Sequence, residues 1–295
     1  MPTFSSYDGT ALHYELLGEG PPLLVLPGGP GMDLRYLGGL GGLTDRRRLV
    51  LLDPRATGRS AVPADRGTVA FTEQARDVEA LRAHLGLPAV DLLGHSAGCL
   101  IAQEYAAAHP GRLRRLVLVT PVGRAAREPD EAELAELRAA RSGEPWYPDA
   151  AEAHRLLTGG GLTGEAAAES GRRTHPFSWH HWDDARQAEH RPEHGSPHAW
   201  LRAAYYAGAA TPADEERRLA RLAAVRAPVL VLAGASDGLI GTAPARAAAA
   251  LYPHARLELM DRSGHRPWVE EPGRFVELVA GFLDLPDPAD LNTFN

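Results

Sequence analysis

The pentapeptide Gly94-His95-Ser96-Ala97-Gly98 constrains this chain more than any other stretch. It follows the apolar run Val90-Asp91-Leu92-Leu93, which reads as a short buried strand, and it precedes Cys99 to Ala108, which reads as a helix. The five residues therefore form a strand-to-helix turn. A residue on so sharp a corner lifts its side chain above the sheet while a helix begins directly behind it. Ser96 holds that corner, and small residues are needed at Gly94 and Gly98, where a Cβ would meet the neighbouring strand or helix. The pattern predicts an exposed serine hydroxyl with the Ala97 N–H facing the same space.

The surrounding chain has a consistent grammar. Ala11 to Gly18 alternates as an edge strand does, and Pro21 to Leu26 reads as a buried strand running into Pro27-Gly28-Gly29-Pro30-Gly31. A loop so rich in Gly and Pro can present backbone N–H groups to a ligand because no side chain shields them. Arg48 to Asp53 is a further buried strand, followed by a polar loop to Ser60 in which Asp53 and Arg55 are expected to form a buried ion pair. Phe71 to Leu85 has helical spacing and is stopped by Gly86 and Pro88, and Leu113 to Thr120 is the next apolar strand. Strands alternating with helices imply a parallel sheet with helical crossovers.

From residue 122 to 211 the alternation stops, in a stretch that holds most of the histidines and four of the five tryptophans. It reads as a helical insertion. Strand patterns resume at Pro228 to Ala233 and Arg256 to Met260, helices at Pro244 to Leu251 and Pro272 to Leu283, and the tail from Pro286 is expected to fray. The fold class is thus α/β, a mostly parallel sheet flanked by helices, with residues 1–121 and 212–295 as core domain and 122–211 inserted after the sixth strand.

Two polar residues stand at strand ends in the last section, Asp237 in Gly234-Ala235-Ser236-Asp237-Gly238 and His265 in Ser263-Gly264-His265-Arg266-Pro267. In an open parallel sheet, chemistry gathers outside the carboxyl ends of the strands, where Ser96 and the Gly28-Gly29 loop also fall. A serine hydroxyl needs an imidazole to take its proton, and the imidazole needs a carboxylate to hold its tautomer. The chain order Ser, Asp, His is the one expected for a serine on such a turn.

Composition narrows the partners. A net charge of −7 and an isoelectric point near 6.0 argue against nucleic acid. The single cysteine, Cys99, excludes an intrachain disulfide framework, fits a reducing compartment and is expected to pack in the core behind Ser96. No basic leader and no run of about 18 apolar residues is seen, so a soluble, cytoplasmic protein without a membrane partner is expected. His190, His194 and His198 have four-residue spacing, but Pro192, Gly195 and Pro197 would spoil a helix carrying them, and triad chemistry needs no metal. No metal or cofactor is expected, the partner is a small molecule or short peptide, and the oligomeric state is open.

The motifs Gly28-Gly29-Pro30-Gly31, Asp53 to Ser60, Gly94 to Gly98, Gly234 to Asp237 and Gly264 to Pro272 together resemble the α/β-hydrolase superfamily over nearly the whole chain. The resemblance implies Ser96 as nucleophile, His265 as general base and acid, Asp237 as its orienting partner, and the N–H groups of Gly29 and Ala97 as oxyanion hole. It implies a helical cap over residues 122–211. Within the superfamily the chain looks most like the proline iminopeptidases, through Pro27 to Gly31, Asp53 to Ser60 and Trp179-His180-His181-Trp182-Asp183. That likeness implies Trp179, Trp182 and Asp183 as substrate-binding residues, with Asp183 holding a substrate amine. The chain departs from it at Pro27, Ala56, His95 and Ala97, and Arg202 lies where a second amine-binding glutamate would be sought. An arginine repels an ammonium and attracts a carboxylate. Serine hydrolysis of an amide or ester is therefore expected, aminopeptidase or esterase/lactonase, with a lyase, cyclase or acyltransferase or a ligand sensor on the same site as alternatives.

Overall fold

The computed structural model describes residues 2–125, 127–189, 194–207 and 211–286. Eight strands form one sheet: β1 (Thr3–Ser5), β2 (Ala11–Leu17), β3 (Pro22–Leu26), β4 (Arg48–Leu52), β5 (Val90–His95), β6 (Leu113–Val119), β7 (Val229–Gly234) and β8 (Ala255–Met260). Their spatial order is β1-β2-β4-β3-β5-β6-β7-β8. β2 is antiparallel to both neighbours, and every other pair is parallel. Helices α1 (Phe71–His84), α2 (Gly98–Ala108), α9 (Ala243–Leu251), α10 (Pro267–Glu270) and α11 (Pro272–Leu283) belong to this framework. Between β6 and β7 the described chain is helical: α3 (Glu131–Ala139), α4 (Tyr147–Thr158), α5 (Gly164–Arg173), α6 (Asp184–Glu189), α7 (Leu201–Tyr206) and α8 (Pro212–Ala223).

The central strands are mostly apolar, β3 and β7 throughout, because both faces of the sheet are covered. Leu24, Leu92, Leu118 and Val231 point to a cluster shared with Phe71, Val78, Leu100 and Tyr105 of α1 and α2. The intervening residues Val25, Leu93, Val117 and Leu232 point to a second cluster with Phe275, Val279 and Leu283 of α11. Ala11–Leu17 is not the edge expected of it, since the three-residue β1 pairs along its outer side. So short a strand, with only Phe4 buried, carries no readable period.

The chain passes from β3 outward to β4 and then returns past β3 to β5, so the strand order reverses between β3 and β5. Loops leaving these two strands diverge at their carboxyl ends and open a crevice there. The Gly28–Gly31 loop and the Ser96 turn flank it.

The expected Asp53–Arg55 pair does not form. Asp53 accepts hydrogen bonds from the Leu34 and Arg59 N–H groups, each at 2.9 Å, and contacts His13 Nδ1 at 2.9 Å. Arg55 is fully buried and donates to Asp77 through Nε at 2.7 Å and Nη2 at 2.6 Å. Each side chain is satisfied by an element far away in sequence, β2 for Asp53 and α1 for Arg55, so neither needs its neighbour.

Candidate active site

Ser96 sits between β5 and α2 with φ at +53°, a left-handed conformation that costs a non-glycine residue of order 1–3 kcal/mol. Its neighbours make that corner possible. A Cβ on Gly98 would lie 2.4 Å from the Pro27 carbonyl oxygen, and one on Gly94 would lie 2.8 Å from the Cys99 Cα. A Cβ on Gly28 would come within 2.7 Å of the Ser96 Cβ, so the Gly-rich loop approaches the serine as closely as a backbone can. The serine expected to be exposed is instead 4% exposed, and it lines a cavity together with His175, Ser178 and Trp182 of the segment after β6. Cys99 is fully buried in the core behind the turn, and burial pushes its thiol pKa up.

The loops after β7 and β8 deliver Asp237 and His265 to the same place. His265 Nε2 lies 3.0 Å from Ser96 Oγ, and His265 Nδ1 lies 2.6 Å from Asp237 Oδ2. Asp237 has no exposure, and its other oxygen accepts from the Leu239 and Ile240 N–H groups at 2.9 and 3.1 Å. A carboxylate so provided for is an acceptor only, which puts the proton on Nδ1 and leaves Nε2 free to accept from serine. The two loops meet so tightly that a Cβ on Gly234 would lie 2.1 Å from the Gly264 carbonyl oxygen.

Backbone tethers hold His265. Its N–H donates to the Ser178 carbonyl at 2.7 Å, and its carbonyl accepts from His95 Nε2 at 3.0 Å and Thr120 Oγ1 at 3.2 Å. Since that carbonyl can only accept, His95 carries its proton on Nε2 and presents a bare Nδ1. Tyr36 fills the vacancy: its hydroxyl donates to His95 Nδ1 at 2.6 Å and accepts the Gly28 N–H at 2.7 Å. Burial, with the nearby His265 and Arg266, drives the His95 pKa well below the ordinary imidazole value, so this chain of bonds contains a neutral ring. One phenol thus ties the Gly-rich loop to the residue beside the serine. The next N–H groups, of Gly29 and Ala97, have no acceptor among the described residues.

The sequence matches the family described as "alpha/beta hydrolase fold" over residues 21–272. The chain belongs to the α/β-hydrolase family. Among its relatives, the proline iminopeptidase of Lactobacillus helveticus is 36% identical over 118 residues. That alignment covers 37% of this chain and 40% of the relative. A protein of Variovorax paradoxus provisionally named carbamate hydrolase RutD is 30% identical over 92% of this chain and 96% of its own length. Among solved structures, the esterase RhEst1 of Rhodococcus sp. ECU1013 superposes with a TM-score of 0.65 and 26% identity, over 96% of this chain and 98% of that one.

The cavity has a volume of about 600 Å³, and its walls include Gly29, Tyr36, Ser96, His175, Trp182 and His265. Of the three side chains that sequence reasoning assigned to substrate binding, only Trp182 lines it. Trp179 is buried outside the lining, with the Arg266 guanidinium 5.7 Å from its ring centroid and its carbonyl accepting from Arg141 Nη1 at 2.8 Å. Asp183 also lies outside the lining. Its carboxylate accepts the Arg186 N–H at 2.9 Å at the start of α6, and that bond holds its pKa below the ordinary carboxylate value. His190, one of the spaced histidines, lies outside the described residues. Among the described residues no helix is long and apolar enough to cross a membrane.

Tyr36 and His175 were not foreseen. His175 lines the cavity with its pKa lowered to about 4, by burial first and then by Arg266 and Arg172. Nothing local in the sequence distinguishes either from an ordinary packed aromatic.

Proposed function

We propose that this hydrolase cleaves a carboxylic ester or lactone through an acyl-enzyme. Ser96 attacks the carbonyl carbon while His265 Nε2 takes the hydroxyl proton, Asp237 stabilises the imidazolium, and the oxyanion is received by the Gly29 and Ala97 N–H groups. His265 then protonates the leaving oxygen, and water repeats the sequence to release the acid. The observation that carries this reading is the unbroken contact line of 3.0 Å from Ser96 Oγ to His265 and 2.6 Å from His265 to Asp237, set on a strained corner. The two unpartnered N–H groups support the oxyanion assignment, each such donor being worth about 3 kcal/mol of barrier.

The helical segment after β6 acts as the cap that shapes the substrate site. Its turn at His175–Ser178 is bonded to both loops, the Phe177 carbonyl to the Gly238 N–H at 2.8 Å and the Ser178 carbonyl to the His265 N–H at 2.7 Å. An ester is favoured over an N-terminal amide because the cavity wall offers no carboxylate to an ammonium among the described residues. A panel of p-nitrophenyl esters, lactones and proline β-naphthylamide tests the reading. Ester turnover with a burst of one p-nitrophenol per chain, absent in Ser96→Ala, is expected. Turnover confined to the naphthylamide would reverse the choice.

A further inference from the structure

The cavity above Ser96 is lined by charge of one sign. Arg127, Arg172, Arg202 and Arg266 form part of its wall, and no Asp or Glu among the described residues does. These four arginines are not equivalent. Arg172 is already engaged by Glu165 and Glu169 of its own helix. Arg266 donates to the Glu189 carbonyl at 3.3 Å and lies over the Tyr36 ring at 4.8 Å.

Arg127 and Arg202 have no carboxylate partner among the described residues. Arg127 reaches only the Leu239 carbonyl, at 3.4 Å, and Arg202 stands 5.6 Å from the centroid of the Tyr206 ring. The two come from separate segments, one from the loop after β6 and the other from α7, yet both guanidinium charges act on the Tyr206 phenol. The Tyr206 hydroxyl also has no hydrogen-bond partner among the described residues. Two like charges and a phenol thus line one substrate-sized cavity, and no carboxylate among the described residues answers them. A guanidinium pair with a phenol beside it suits a carboxylate, which takes charge-assisted hydrogen bonds from all three.

We infer that the substrate carries a second, ionised carboxyl group, bound by Arg127, Arg202 and Tyr206 while its ester carbonyl lies at Ser96. The substrate class is the half-ester of a dicarboxylic acid, or a lactone with a pendant carboxylate. This rests on the reading of Ser96 as nucleophile, and the same four arginines repel the ammonium of an N-terminal amino acid.

The test compares p-nitrophenyl half-esters of succinate, glutarate and adipate with neutral p-nitrophenyl esters of the same chain length. The best half-ester is expected to exceed its neutral partner at least tenfold in kcat/KM, with the ratio falling as salt rises toward 0.5 M, where surface charge is screened. In Arg127→Gln/Arg202→Gln the ratio is expected to fall to within about threefold of one. Arg173→Gln, which removes a charge outside the cavity, should leave it unchanged. Both arginines of the pair are exposed, so the double variant is expected to fold, which urea unfolding checks.

Binding gives a readout that does not depend on turnover. Calorimetry on Ser96→Ala should show monomethyl glutarate binding at least tenfold more tightly than dimethyl glutarate, a difference lost when the two arginines are also replaced. Equal binding of the two ligands, or a preference that survives loss of both arginines, overturns the carboxylate inference. Preferential binding of the half-ester by a wild type that turns over no ester would instead overturn the hydrolytic reading and leave the carboxylate site standing.

Discussion

Tyr36→Phe removes one oxygen and should report on the whole framework of the site. The ring stays, so its contacts with His95 at 5.6 Å and Trp268 at 6.3 Å between centroids are kept. Lost are an acceptor for the Gly28 N–H and a donor to His95 Nδ1, at 2.7 and 2.6 Å, and both orphaned groups are buried. An unsatisfied buried polar group costs about 1–3 kcal/mol, so the pair should destabilise the fold by about 2–4 kcal/mol after partial relaxation. Gly28 immediately precedes Gly29, so the proposed oxyanion donor loosens with it. Complete loss of such a donor lowers kcat by about 100- to 1,000-fold, and a displaced one should lower it at least tenfold with a smaller change in KM. Urea unfolding at constant m-value measures the first effect, and steady-state ester hydrolysis measures the second. A midpoint shift worth under about 0.5 kcal/mol together with kcat within twofold of wild type would refute the bridging role.

Other outcomes follow from the same physics. Burial keeps His95 and His175 neutral in the folded chain, with the His175 pKa at about 4 against an ordinary 6.5. The unfolded chain binds more protons in that window, so stability is full above pH 6.5 and falls as the pH drops toward 4. Each group contributes up to about 1.4 kcal/mol per pH unit. His175→Gln should make the unfolding free energy measured by urea titration flatter across this range, and an unchanged slope would count against a half-buried neutral His175. Arg55→Leu strands the buried Asp77 and should cost about 3–5 kcal/mol, whereas Arg55→Leu/Asp77→Leu should lose markedly less; equal losses in the two variants would argue against a paired buried charge.

The sheet was legible because strands covered on both faces must be largely apolar, as β3 and β7 are throughout, and because Gly and Pro mark where they end. Ser96, Asp237 and His265 could be read together because a parallel sheet sends every strand-end loop to one edge. What was not legible depends on partners distant in sequence. Asp53 and Arg55 look like a local pair until β2 and α1 supply His13 and Asp77. Tyr36 is an unremarkable aromatic until the fold places it between Gly28 and His95. The helical segment hid most, since the direction of each side chain there is set by packing on the core and not by period. Trp179 and Asp183 sit in a suggestive motif, yet one ring is buried outside the cavity wall and the other side chain serves α6. Trp182 of that motif does line the cavity, and so does Arg202, noted only for its sign.

Intact-mass spectrometry after incubation with a fluorophosphonate examines the assembled triad itself. Wild type should gain one phosphonyl adduct per chain, mapped to Ser96, and Ser96→Ala should gain none. Asp237→Asn should react far more slowly, because the His265 tautomer is then no longer held. Folded wild type that stays unlabelled, or labelling that persists in Ser96→Ala, would contradict an activated Ser96 and with it the hydrolytic mechanism.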